Sequence, residues 1–262
     1  MMICTSEINQ FLEKSCPNIW SILNQKAKNT PPKGFQEFLF GESDEEIEER
    51  KALLRQVDRR ISHLINKTTL KVVGDTYRRD LSGADSENKL AEFFCEISLV
   101  DSLASMSSEL PVLRPKTEIG TACDIKVMID GCNIYGESKR LEDRWEGVSR
   151  SISKSPPESR QDNASRPRAM DLYDKLKVTH RQFPSNTLNV IFLFHPSFWN
   201  TQLYMKQALF GDNSFLDESD QPLLYEDGLY SLQEWRTISA CVYTRVNKDG
   251  ALSFEKIWKN PK

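Results

Sequence analysis

The dipeptide Asp130-Gly131 lies between two strand-like runs, residues 122–129 and 133–139. It constrains the fold more than any other stretch. A two-residue Asp-Gly link suits a turn with positive φ at both positions, whose twist matches two antiparallel strands, so the segment is expected to be a hairpin. Its neighbours extend the pattern. Residues 86–104 carry Leu90, Phe93, Ile97, Val100 and Ala104 on one helical stripe, and Pro111-Val-Leu-Arg114 has the character of a short strand. Downstream, residues 144–168 are rich in Ser, Pro and Arg and are expected to form a long loop. Residues 169–183 are amphipathic and follow Pro167 at a helix start, and residues 189–194 form an apolar run suited to a buried strand. A helix over 198–210, a loop over 211–228 and a closing strand pair, 238–246 and 252–258 around Asn247-Lys248-Asp249-Gly250, complete the chain. This order of elements implies an α/β fold with helices around a mixed sheet.

The first eighty or so residues are expected to be helical. Ser6 is placed to cap a helix carrying Ile8, Phe11 and Leu12, and Pro17 ends that helix or starts the next. The run Ser43-Asp44-Glu45-Glu46 puts a cap and carboxylates where the helix dipole favours them, ahead of Ile47, Leu54, Val57, Ile61, Leu64 and Ile65 at helical spacing. Three roles stay open for this region: a packing appendage, a dimerisation element that would make the protein a homodimer, or part of a substrate-binding surface.

Composition excludes little but is consistent. At 262 residues the chain is long enough to bury a core without disulfides. No apolar run reaches the roughly 18–20 residues of a membrane span, so no membrane partner is expected. Residues 1–10 show no signal-peptide pattern, and the six cysteines, Cys4, Cys16, Cys95, Cys123, Cys132 and Cys241, lack paired or zinc-like spacing. Reduced thiols, buried where they flank the hairpin, and a cytoplasmic location are the expectation. The net charge of −3 is uninformative, but residues 139–181 hold eleven Lys/Arg against seven Asp/Glu, enough for a local phosphate-binding patch.

The chemistry concentrates in the hairpin. Antiparallel strands joined at Asp130-Gly131 would bring Asp124 and Glu137 near one another, and strand alternation puts Glu137 and Lys139 on one face while Ser138 points away. Two carboxylates suit a hard divalent cation, and a lysine can steady a nucleophile or developing charge. A plain cross-strand ion pair on a half-exposed sheet is the competing explanation. On the preceding helix Glu92 and Glu96 share a face one turn apart, and either can reach such a site. The histidines His63, His180 and His195 do not cluster, and the aromatics Phe198, Trp199, Tyr204, Tyr230 and Trp235 are expected to pack the core.

The constellation Asp124, then Glu137-Ser138-Lys139, between a Glu-bearing helix and a helix leading to a buried strand, resembles the PD-(D/E)XK nuclease superfamily over about 110 residues, 87–195. The resemblance implies a restriction-endonuclease-like αβββαβ core within residues 83–262, behind a helical region 1–82. It further implies a metal-dependent nuclease acting on nucleic acid, preferentially DNA, with Mg²⁺ as cofactor and Mn²⁺ as its substitute. Asp124 and Glu137 would be metal ligands with the Ser138 carbonyl, and Lys139 the catalytic lysine. Phe93-Phe94-Cys95-Glu96 matches the family's apolar pair before the helix carboxylate, which favours Glu96 over Glu92. Gln182, with His180 and Arg181 beside it, stands where family members contact the attacking water or a phosphate. Cys123 replaces the usual proline before the Asp, and Ser138 the more frequent apolar residue before the Lys. Two other readings remain: an inactive nuclease-fold module that binds nucleic acid or scaffolds a protein, and an interaction protein whose N-terminal helices recruit a partner.

Overall fold

Ser43, Thr69 and Ser86 each start a helix by accepting a hydrogen bond from the backbone N–H three residues on, at 3.2, 3.2 and 3.4 Å. The computed structural model describes residues 4–24, 31–40, 43–116, 122–140, 169–170, 172–194, 201–211, 213, 222–246 and 252–262. Its helices are α1 (Thr5–Ser15), α2 (Pro17–Asn24), α3 (Lys33–Phe38), α4 (Asp44–Lys67), α5 (Leu70–Ser82), α6 (Glu87–Met106) and α7 (Thr201–Phe210). The strands β1 (Val112–Leu113), β2 (Ile125–Ile129), β3 (Cys132–Arg140), β4 (Leu188–Phe194), β5 (Ala240–Val246) and β6 (Leu252–Lys259) form one six-stranded sheet in chain order. The protein is thus α/β with a mixed sheet: β1 and β2 run antiparallel, whereas β3, β4 and β5 are parallel neighbours. Asp130 and Gly131 have φ of +50° and +76°, as the two-residue turn requires.

The chain divides into two compact units that do not follow chain order. The first comprises Met1–Pro115, Asp124–Cys132 and Val246–Leu252; the second comprises Lys116–Cys123, Asn133–Arg245 and Ser253–Lys262.

In the first unit α6 is the central element. The expected stripe Leu90, Phe93, Ile97, Val100 and Ala104 is buried, and so are Phe94, Ser98, Leu99, Asp101 and Leu103, so most of the helix circumference is covered. It packs against α3, α4, α5 and β2. Edge-on ring pairs Phe38–Phe94 (5.2 Å) and Tyr77–Phe93 (5.7 Å) tie it to α3 and α5. Just past its end, Ser107 and Ser108 bond the backbone of Met128 in β2. At the other end of the chain, α1 is capped at Cys4, not Ser6: the Glu7 carboxylate accepts the Cys4 N–H at 2.9 Å. Thr5 is already helical, which leaves Ser6 inside the first turn.

The second unit is built on β3–β5 and an apolar cluster that includes Leu176, Ile191, Leu193, Met205, Tyr230, Trp235 and Trp258. Tyr204, Tyr230 and Trp235 are core residues, as expected; Phe198 and Trp199 lie outside the described residues. So do the stretch 144–168, His195 and the turn 247–250. The helix expected over 169–183 ends early. Residues 172–176 are helical, and a separate 3₁₀ helix, Thr179–Gln182, follows. The Lys177 carbonyl accepts both the Trp235 indole N–H (3.0 Å) and a bond from His180 Nδ1 (2.9 Å), a tertiary and a local partner in place of a continued helical bond.

Candidate active site

In the first unit α6 presents Glu96 and β2 follows directly on Asp124. Asp124 is buried, and the Glu96 side chain is only 12% exposed. Burial, and then the like charge of Asp124, push the Glu96 carboxyl well above the usual carboxylate range, with Asp80 adding to the effect; Arg114 opposes it through its charge and hydrogen bonds. The Arg114 guanidinium grips both oxygens of Glu96, Nε to Oε1 at 3.1 Å and one terminal nitrogen to Oε1 and Oε2 at 2.9 Å each. That nitrogen also pairs with Asp80 of α5 at 2.5 Å, and the guanidinium lies 5.2 Å from the centre of the Tyr77 ring. Arg114 itself has φ +45° and donates its backbone N–H to the Asp124 carbonyl at 2.9 Å. Glu92, one turn earlier on α6, is exposed.

In the second unit β3 carries Glu137, with its side chain 4% exposed, and Lys139, whose Nζ lies 2.6 Å from Glu137 Oε1. The two side chains do project together. Their parallel-strand partners are Ile191 and Leu193, both fully buried, so the pair sits beside an apolar wall. The carboxylate is nearly excluded from water while the lysine side chain is 30% exposed, so the pair is only partly desolvated. Ser138 is partly buried between them in sequence. Gln182 is half-buried at the end of the 3₁₀ helix, with Arg181 exposed before it.

The structure therefore brings Glu96 beside Asp124, and Glu137 onto Lys139. It leaves Glu92 at the surface. Among residues the sequence did not single out, Tyr77, Asp80 and Arg114 join Glu96. Their only sequence signal is weak: Tyr77 and Asp80 are three apart on one helix face, and Arg114 follows a strand directly before Pro115. The hairpin-flanking thiols differ from one another: Cys123 is buried, Cys95 half-buried and Cys132 exposed, and none of the three is in a disulfide.

Hard oxygen donors suit Mg²⁺, which keeps several waters and needs only one or two carboxylates. Glu96 and Asp124 supply two carboxylates of that class, and the Arg114 guanidinium already holds both oxygens of Glu96. The donor chemistry fits. Among the described residues no group of three or more His, Cys, Asp and Glu side chains is placed to hold a metal ion, and none of the described helices is long and apolar enough to cross a membrane. No family model, curated protein or solved structure gave a significant match to the chain.

Proposed function

We propose that this protein is a metal-dependent nuclease of the PD-(D/E)XK type with a restriction-endonuclease-like core, hydrolysing phosphodiester bonds, with DNA as the favoured substrate. The observation that carries the reading is the Glu137–Lys139 pair: a carboxylate 4% exposed with a same-face lysine at 2.6 Å. An ordinary surface ion pair contributes little to stability and does not call for a carboxylate this buried. The pair instead fits a carboxylate and an ammonium kept ready beside a reacting phosphate.

In this reading Glu96, preferred over the exposed Glu92, and Asp124 are the residues of the first unit that would hold Mg²⁺ or Mn²⁺, and Glu137 and the Ser138 carbonyl those of the second. The bound ion supplies Lewis acidity toward a phosphate oxygen and lowers the pKa of a water. Lys139 orients the attacking water or stabilises charge on the phosphate as it builds. Gln182 touches the same water or phosphate, and Arg181 and His180 bind backbone phosphates. Asp124→Ala and Lys139→Ala are expected to abolish cleavage while circular dichroism stays native; full activity in either variant would remove the assignment.

A second reading has one observation in its favour. Both oxygens of Glu96 are engaged by Arg114, as in a module that has given up its metal and binds nucleic acid or a partner protein without cutting. Such a module takes up no Mn²⁺ or Mg²⁺ in a calorimetric titration.

A further inference from the structure

Arg114 is shared between two carboxylates with different surroundings. Glu96, 12% exposed, belongs to α6, and Asp80, 33% exposed, to α5. The Arg114 side chain is itself 32% exposed, and its guanidinium rests on the Tyr77 ring. It can therefore let go of the inner carboxylate without giving up the outer one or the ring. Beneath it the Tyr77 hydroxyl is fully buried and has no hydrogen-bond partner among the described residues. That hydroxyl lies in the field of Glu96 and Asp124, with Arg114 and Asp80 next in influence. A buried hydroxyl is ordinarily satisfied. Here a rearranged carboxylate, or water carried by a cation, would satisfy it.

We propose that Arg114 is an internal counter-cation of this site: it holds Glu96 in the metal-free protein, yields it to a divalent cation, and stays anchored on Asp80 and the Tyr77 ring. This rests on the metal-dependent reading above and adds to it. Helix α5, which lies outside the motif, becomes part of the apparatus, Asp80 acting as the carboxylate that receives the arginine. Arg114 and Asp80 then influence cation binding in opposite directions, and Arg114→Lys, which keeps the charge, separates the loss of the bidentate grip from the loss of charge.

The test is calorimetric titration of the full chain with Mn²⁺ alone, at neutral pH, for wild type, Arg114→Gln, Arg114→Lys and Asp80→Asn, with circular dichroism as the check on folding. Arg114→Gln is expected to tighten Mn²⁺ by about tenfold or more, since a full positive charge leaves the cation's neighbourhood. Arg114→Lys should tighten it less, because an ammonium keeps the charge but loses the bidentate grip. Asp80→Asn should weaken it by about three- to tenfold, as Arg114 loses its alternative partner and competes harder for Glu96. Binding gained in Arg114→Gln where wild type shows none would support the proposal in its strongest form. Weaker or unchanged binding in both arginine variants beside a binding wild type overturns the proposal alone and leaves the nuclease reading standing. No Mn²⁺ uptake by any of the four proteins overturns both. Should Arg114→Gln fail to fold, the opposed signs of Arg114→Lys and Asp80→Asn decide the matter.

Discussion

Lys139 is the residue on which charge, packing and proposed chemistry meet. Its side chain is 30% exposed while that of Glu137 is 4% exposed, so the pair is unevenly solvated. Truncating the lysine leaves Glu137 buried next to Ile191 without its 2.6 Å ammonium. Breaking a fully buried pair costs about 3–5 kcal/mol, and the lysine's exposure reduces this to about 1–3 kcal/mol for Lys139→Ala, readable from urea unfolding. Lys139→Ala with Glu137→Gln should recover part of that loss, because the neutral amide needs no counter-charge. At this scale the sequence was legible wherever neighbours in the chain are neighbours in space: strand alternation alone placed Glu137 with Lys139. Tyr77, Asp80 and Arg114 were not legible, because a helix residue and a post-strand residue far apart in sequence meet only through the packing of α5 and α6.

Elements show the same divide. The turn at Asp130-Gly131 was legible because its chemistry is local. A Cβ added at Gly131 meets nothing within 4 Å, so Gly131→Ala tests the backbone alone; with φ at +76° it should destabilise by about 1 kcal/mol in thermal or urea unfolding. By contrast, α2 is completed by a distant residue. The buried Asp58 of α4 accepts the Ile19 N–H at 2.8 Å and the Asn18 side-chain amide at 2.9 Å, so a carboxylate from another helix caps its first turn. No local pattern announces this. Burial raises the Asp58 carboxyl above its ordinary value of 3.8, against the pull of those hydrogen bonds. A raised folded-state pKa means the native protein holds the proton more tightly than the unfolded chain. Its contribution is then fully present below pH 3.8 and fades as pH rises through the raised value. Asp58→Asn should remove that slope from a plot of unfolding free energy against pH, whereas Asp58→Ala should also cost about 1–2 kcal/mol as the cap is lost. The helix end at residue 176 was hidden for a similar reason: the amphipathic pattern runs on to Phe183, but the Trp235 indole takes the Lys177 carbonyl across 58 residues of chain.

At the scale of the whole molecule, the first compact unit gathers α1–α6, β1 and β2. The N-terminal helices α3, α4 and α5 are what cover α6. Removing residues 1–80 strips that cover from Leu90, Phe93, Phe94, Ile97 and Leu103, all 6% exposed or less. The truncated chain should be largely insoluble, or should lose the helical dichroism of α6 along with that of the deleted helices; a soluble, cooperatively melting fragment would show that α6 finds its packing elsewhere. The α/β class and the succession of strands along the chain were legible from periodicity and turns. The breadth of the buried surface of α6 was not, because the burial of Ser98 and Asp101 beside the apolar stripe leaves no periodic signal. The account as a whole stands or falls on phosphodiester hydrolysis. Supercoiled and linear DNA, with RNA alongside, incubated with the full chain and Mg²⁺ in oxygen-18 water tests it most directly. The account predicts metal-dependent cleavage, abolished by chelation, with one labelled oxygen in each newly formed phosphate end; nucleic acid left intact in both Mg²⁺ and Mn²⁺ would contradict it.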